Sequence, residues 1–161
     1  MTSLPRGRAA NGHHRRAVAA LGAVSAGLLV LSACDKPTPL ATITVGKSSV
    51  SSETDCYNDG KEVSGADLAK CLKAKDIKSI KVDPDDTVRF GVDPKIADNG
   101  WTILMNGQPL TDSSKKTYRT IPGSVFFNAQ YGASGNSTLV SIKEGDKTVT
   151  GLWSFKLKKD A

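Results

Sequence analysis

Three thiols and two imidazoles are the side chains best suited to chemistry, and their positions divide them into groups. Cys34 closes the stretch LLVLSAC, where an uncharged run gives way to the proline-rich DKPTP. That place makes it the end of a discarded leader, the flank of a membrane span, or a reactive thiol. Cys56 and Cys71 form a second group, and an even pair in an exported chain reads as a disulfide. His13 and His14 are the only histidines, and both precede the uncharged run. If that segment is cleaved, the remaining chain has no Ser-His-Asp triad and no Cys-His nucleophile pair. It also has no imidazole for zinc, copper or haem.

The N-terminal residues settle the expectation for Cys34. MTSLPRGRAANGHHRR carries four arginines and no acid, and the 17 residues from Ala17 to Ala33 carry no charge. This is the layout of a secretory leader. A spanning helix needs roughly 20 apolar residues, whereas six of these 17 are alanine and no basic flank follows. Residues 1–33 are therefore expected to be a signal peptide. Leu31, Ser32, Ala33 and Cys34 resemble the bacterial lipobox, a leucine and two small residues before a cysteine. The resemblance implies that Cys34 receives a diacylglyceryl thioether and becomes the mature N-terminus. One acyl chain binds a bilayer marginally and two bind it stably. The expected location is the extracytoplasmic face of the cell membrane, with the membrane itself as the first partner, through the lipid anchor.

Cleavage also changes the charge argument. The full chain has 22 Lys+Arg against 16 Asp+Glu; without the four leader arginines the balance is 18 to 16, a formal +2. No nucleic-acid partner follows from so small an excess. We expect no metal, no cofactor and no catalytic residue. A Cys56–Cys71 bridge, closing a loop of about 15 residues, would stabilise the domain by roughly 3 kcal/mol in the chain-entropy model.

The elements that must position these groups are mostly strands. Residues 34–42 read as a short, lipidated tether reaching about 25 Å, and residues 43–161 as one domain. Period-two alternation places Ile43 and Val45 on one face, then Ile80 with Val82 before the DPDD turn. Val88, Phe90 and Val92 share a face, with Thr87, Arg89 and Gly91 opposite. Trp101, Ile103 and Met105 alternate up to Asn106-Gly107, a hairpin signal. Further strands are expected over KTYRTI, from Val125 in VFFNA, over STLVSIKEG, and through Val149, Trp153, Phe155 and Leu157. One short helix is expected over residues 65–75, where Ser64 and Asp67 resemble a capping box. The whole predicts a mainly β fold: an antiparallel, immunoglobulin-like β-sandwich with one short helix.

Candidates for recognition follow from these elements. TYRTIPGSVFFNAQYGASGN offers Tyr118, Arg119, Phe127 and Tyr131, residue types enriched at interfaces, as a candidate surface for an envelope protein partner. In a strand the adjacent Phe126 and Phe127 would point to opposite faces. Asp83, Asp85 and Asp86 read as a turn, because calcium-loop spacing is missing.

Taken together, the lipobox, DKPTP, DDTVRFGVDP, KKTYRTIPGS and the closing WSFKL resemble the small cell-envelope lipoproteins of high-GC Gram-positive bacteria, a family of uncharacterised function. The resemblance implies an envelope location and supplies no catalytic residue. The expected function is a lipid-anchored, non-catalytic binding or interaction module. The alternatives are a histidine-free envelope enzyme of Ser-Lys or carboxylate type, and a structural accessory of a membrane complex.

Overall fold

The computed structural model describes residues 38–71, 73 and 76–160. The expected signal peptide and Cys34 lie outside the described residues. Alternation writes most of the strands. In β1 (Ala41–Val45) Ala41, Ile43 and Val45 are buried, with Thr42 and Thr44 turned outward. The Gly46-Lys47 turn leads into β2 (Ser48–Ser52), a serine-rich strand with one apolar residue, Val50. After β3 (Cys56–Tyr57) comes the helix α1 (Gly65–Cys71), capped by Ser64, whose hydroxyl accepts from the Asp67 N–H at 3.2 Å and donates to its carboxylate at 2.7 Å. β4 (Lys78–Val82) and β5 (Thr87–Val92) flank the DPDD turn, closed by the Asp86 N–H on the Asp83 carbonyl at 3.0 Å.

A five-residue helix, α2 (Pro94–Asp98), starts on a proline, which suits a first helical position. β6 (Trp101–Met105) turns into β7 (Gln108–Pro109) through Asn106 and Gly107, both at positive φ (48° and 83°), which a two-residue hairpin of this kind requires. β8 (Tyr118–Pro122), β9 (Ser137–Glu144) and β10 (Gly151–Lys159) complete the sheets.

Two sheets result. One has four antiparallel strands in the order β2-β1-β5-β8; the other has six, ordered β3-β10-β9-β6-β7 with β4 also on β10. β9 pairs along nearly all of β10. The opposite side of β10 is shared, Gly151 and Leu152 with β3 and Phe155–Lys159 with β4. Between the sheets lies one core, with Ile43 and Phe90 from the first facing Trp101, Ile103, Ile142, Trp153 and Phe155 from the second, all without solvent exposure. The expected mainly β, two-sheet fold with a short helix is what forms. It departs from a purely antiparallel sandwich in one pair, because β4 runs parallel to β10.

Gly151 shows how tightly this core closes. A Cβ there would stand 2.6 Å from the Trp153 ring and 2.8 Å from Glu144 Oε2, so only glycine lets the indole lie flat along its strand. Glu144 is itself fully buried, and its Oε1 accepts from the Asn99 amide at 2.7 Å. Trp153 uses its one polar atom as well: Nε1 donates to the Pro39 carbonyl at 2.9 Å.

Four details differ from the sequence reading. The domain begins before residue 43. Ala41 pairs with Ser52 and Val92, Leu40 exchanges bonds with Asp93 (N–H to Oδ2, 2.8 Å), and Pro39 is held by Trp153. Residues 39–42 therefore belong to the sandwich and not to the expected tether. Helix α1 is described over Gly65–Cys71, with Lys73 already in a turn, and Cys71 is bonded to Cys56 with Cα atoms 5.9 Å apart; residues 72, 74 and 75 of the expected helix lie outside the described residues. The strand expected from Val125 is a 3₁₀ helix over Gly123–Phe127, followed by another over Ala129–Tyr131. In a three-residue turn, positions i and i+3 fall on one side; Gly123 and Phe126 are the buried pair, and Phe126 meets the Phe90 ring at 5.8 Å. Finally, β2 was not anticipated, because SSVSS has too few apolar residues to show alternation.

Candidate binding face

The outer face of the four-stranded sheet is built by register. Ser51, Thr42, Gly91 and Tyr118 stand side by side across the four strands. One step along, Ser49, Thr44, Arg89 and Thr120 do the same. Each row alternates with the buried positions beneath it, so the apolar pattern that drives Ile43, Val88 and Phe90 inward also drives these polar side chains outward. Neighbouring strands are separated by about 4.8 Å, which makes the face roughly 14 Å wide.

Its chemistry is hydroxylic and basic. Thr42 Oγ1 lies 2.8 Å from Ser51 Oγ, and Thr44 Oγ1 lies 3.0 Å from Ser49 Oγ. A hydroxyl carries one donor and two acceptor sites. The Thr42–Ser51 pair shares one hydrogen, which leaves one O–H and free lone pairs for another molecule; in the other pair Ser49 Oγ also donates to the Ile43 carbonyl at 3.4 Å, which leaves lone pairs only. Arg89 is exposed and, among the described residues, makes no ion pair. Tyr118 is 67% exposed, the most open large hydrophobic side chain among the described residues.

At the β8 edge this face runs into a cleft of about 300 Å³ lined by Ser113, Ser114, Lys116, Tyr118, Arg119 and Thr120. The loop that forms it is pinned to the core strand β6. Trp101 Nε1 donates to the Lys116 carbonyl at 2.7 Å, and Trp101 and Ser114 exchange backbone bonds at 2.9 Å. Core and site are thus joined through one indole.

The four residues singled out in the sequence fall in different places. Tyr118 is on the face and in the cleft. Arg119 lines the cleft, but its guanidinium Nη1 donates to Thr111 Oγ1 at 2.9 Å and to the Asp112 carbonyl, so it clamps the edge of β8 to the segment after β7. Phe127 is half-buried against the core. Tyr131, 55% exposed, stands in the second 3₁₀ turn, whose next residue, Gly132, accepts from the Asn106 side chain in the β6–β7 hairpin. It does not line the cleft. Arg89, Gly91 and Lys116 went unselected. The outward phase of DTVRFGV already marks the first two, but strand order, which sets them beside Tyr118, is not a local signal.

A Ser-Lys dyad requires the lysine amine at the hydroxyl. Ser113 donates to Asp146, and Ser114 Oγ accepts from the Lys116 backbone N–H at 3.2 Å; among the described residues Lys116 Nζ bonds neither. The Asp93 carboxylate accepts from the Leu40 N–H and heads α2.

A second cleft, of about 470 Å³, runs beside the disulfide, with Asp55, Glu62 and Asp67 among its lining residues. Asp67 is paired with Lys70 at 3.0 Å. Its hydrogen bond from Ser64, then Lys70, holds its carboxyl below the usual range. Asp55 is the opposite case: burial pushes its carboxyl up, partly offset by hydrogen bonds from Ser154, and Oδ2 is buried without a partner. An acid raised in the folded state favours folding when protonated. Its contribution is complete below the ordinary carboxylate value and is lost as pH rises through the higher folded value. Asp55→Asn should therefore flatten the decline in stability between acid and neutral pH and leave the variant at least as stable as the parent at pH 7. Denaturant titrations across that range check this.

Compared with family models and with curated proteins, the chain matches none. Among solved structures it is similar to the fibronectin(III)-like modules of Clostridium thermocellum CbhA, with a TM-score of 0.36 and 12% identity, covering 53% of this chain and 92% of that one.

Proposed function

We propose that this chain is a lipid-anchored, non-catalytic binding module of the extracytoplasmic membrane face, which meets its ligand with the outer face of the four-stranded sheet and the adjoining cleft. The observation that carries the reading is Tyr118. A large aromatic ring, two-thirds exposed, stands at the junction of a basic cleft and a hydroxyl-covered sheet, all of it held by core strands. Exposed aromatic and arginine side chains are the common anchors of recognition. The anchor itself rests on Leu31, Ser32, Ala33 and Cys34 and on the leader before them.

The test uses the full chain, affinity-tagged and recovered from detergent-solubilised membranes beside Tyr118→Ala. We expect a co-purifying species, retained by the parent and reduced at least fivefold by the variant, with unchanged thermal unfolding. Equal recovery from both would remove Tyr118 from recognition and overturn the reading.

A further inference from the structure

We propose that the ligand is an acidic glycan: an extended, hydroxyl-rich polymer bearing carboxylate or phosphate groups. The inference rests on the binding-module reading and adds the ligand's chemistry.

The first argument is complementarity. The two rows across the sheet contain no acid and no large aliphatic residue. The Thr42–Ser51 pair offers a donor and acceptors outward and the Thr44–Ser49 pair offers acceptors, which suits a partner made of hydroxyls. Arg89 supplies a planar fork of donors that fits carboxylate or phosphate in bidentate fashion. Lys116 adds a point charge in the adjoining cleft. Tyr118 offers an apolar ring face beside a polar hydroxyl, a surface for the C–H face of a sugar ring.

The second argument is Gly91. Glycine inside a strand weakens it and marks a place where another backbone or a ligand approaches closely. Nothing within the fold demands it here. Its backbone is not in the positive-φ region, and an added Cβ would meet only the Thr42 carbonyl at 4.0 Å, an ordinary contact. The missing side chain opens a slot between Thr42 and Tyr118, in line with the hydroxyl row. A slot that costs the strand stability and serves no internal packing is what a bound polymer would use.

The test measures retention of the full chain, in detergent, on four immobilised polymers: dextran, carboxymethyl dextran, dextran phosphate and polyglutamate. We expect binding to one or both acidic dextrans to exceed binding to neutral dextran and to polyglutamate at least fivefold; which acidic dextran binds more tightly identifies carboxylate or phosphate. Gly91→Thr should reduce retention at least tenfold, and Gly91→Ala by a smaller factor, both with an unfolding midpoint no lower than the parent's. Arg89→Gln should weaken binding and its salt dependence. Equal binding to neutral dextran would overturn the anionic assignment, and equal binding to polyglutamate would overturn the glycan. Parent-like binding by both Gly91 variants would overturn the slot. If no polymer binds while Tyr118→Ala still loses a co-purifying species, the glycan falls and the binding module stands; if nothing co-purifies either, both fall.

Discussion

Trp153→Ala is expected to lower the free energy of unfolding by about 3–5 kcal/mol, the range for removing a large aromatic side chain from a packed core. Three contacts make Trp153 the side chain whose loss costs most. The ring is fully buried in the middle of β10. It fills the space left by Gly151 and meets the Tyr57 ring at 6.1 Å. Its Nε1 holds the Pro39 carbonyl. Alanine leaves a cavity that neither β9 nor β3 can close, since both are fixed to β10 by backbone bonds. Trp153→Phe separates the terms: most of the volume remains, and the lost hydrogen bond accounts for about 1 kcal/mol. Small domains are stable by about 5–15 kcal/mol in total, so the alanine variant should unfold at a much lower urea concentration, with the slope of the transition unchanged. A midpoint shift of less than a quarter of the parent's would contradict this account of the core.

Breaking the Cys56–Cys71 bridge comes second. For cysteines 15 positions apart in sequence, the double change to serine should cost roughly 3 kcal/mol. The loss should be local. The segment from Asp55 through α1 is tied to β10 and the residues just before it by two paired residues and a few backbone bonds, among them Asp55 N–H to the Leu152 carbonyl at 2.9 Å and Val63 N–H to the Val149 carbonyl at 2.7 Å. Helix α1 itself has no buried residue. Hydrogen exchange in residues 56–71 should accelerate far more than in β9, and binding through Tyr118 should be unaffected, because that site lies on the other sheet. Uniform acceleration across both sheets would show that the staple supports the whole sandwich.

These expectations draw on features of unequal visibility in the sequence. Strands that bury one face announce themselves: Val88, Phe90 and Val92 alternate so regularly that their inward phase needs no structure. The disulfide was legible from an even pair of cysteines beyond the expected leader, and the hairpin from Asn106-Gly107. Three things were not legible. SSVSS forms β2 because β1 offers it an edge, not because of its own pattern. The Gly123–Phe127 turn is helical because burying Gly123 and Phe126 together outweighs the strand preference of Val-Phe-Phe. The parallel pairing of β4 with β10 joins residues almost eighty positions apart, and no local signal carries it. The candidate site shares this third limitation. Tyr118 stood out by type, whereas Arg89, Gly91 and the Thr42–Ser51 pair acquire meaning only once β1, β2, β5 and β8 are set side by side. Arg119 shows the converse: its type suggested recognition, and its hydrogen bonds to Thr111 and Asp112 make it a clamp.

The two exposed tyrosines provide the most direct test of the binding face. A photo-crosslinking phenylalanine analogue placed at position 118, and separately at position 131, in the full chain within intact envelopes would report which surface is occupied. The account predicts a discrete higher-mass adduct from position 118 and none above background from position 131. Adducts of equal yield from both positions, or an adduct from position 131 alone, would contradict it.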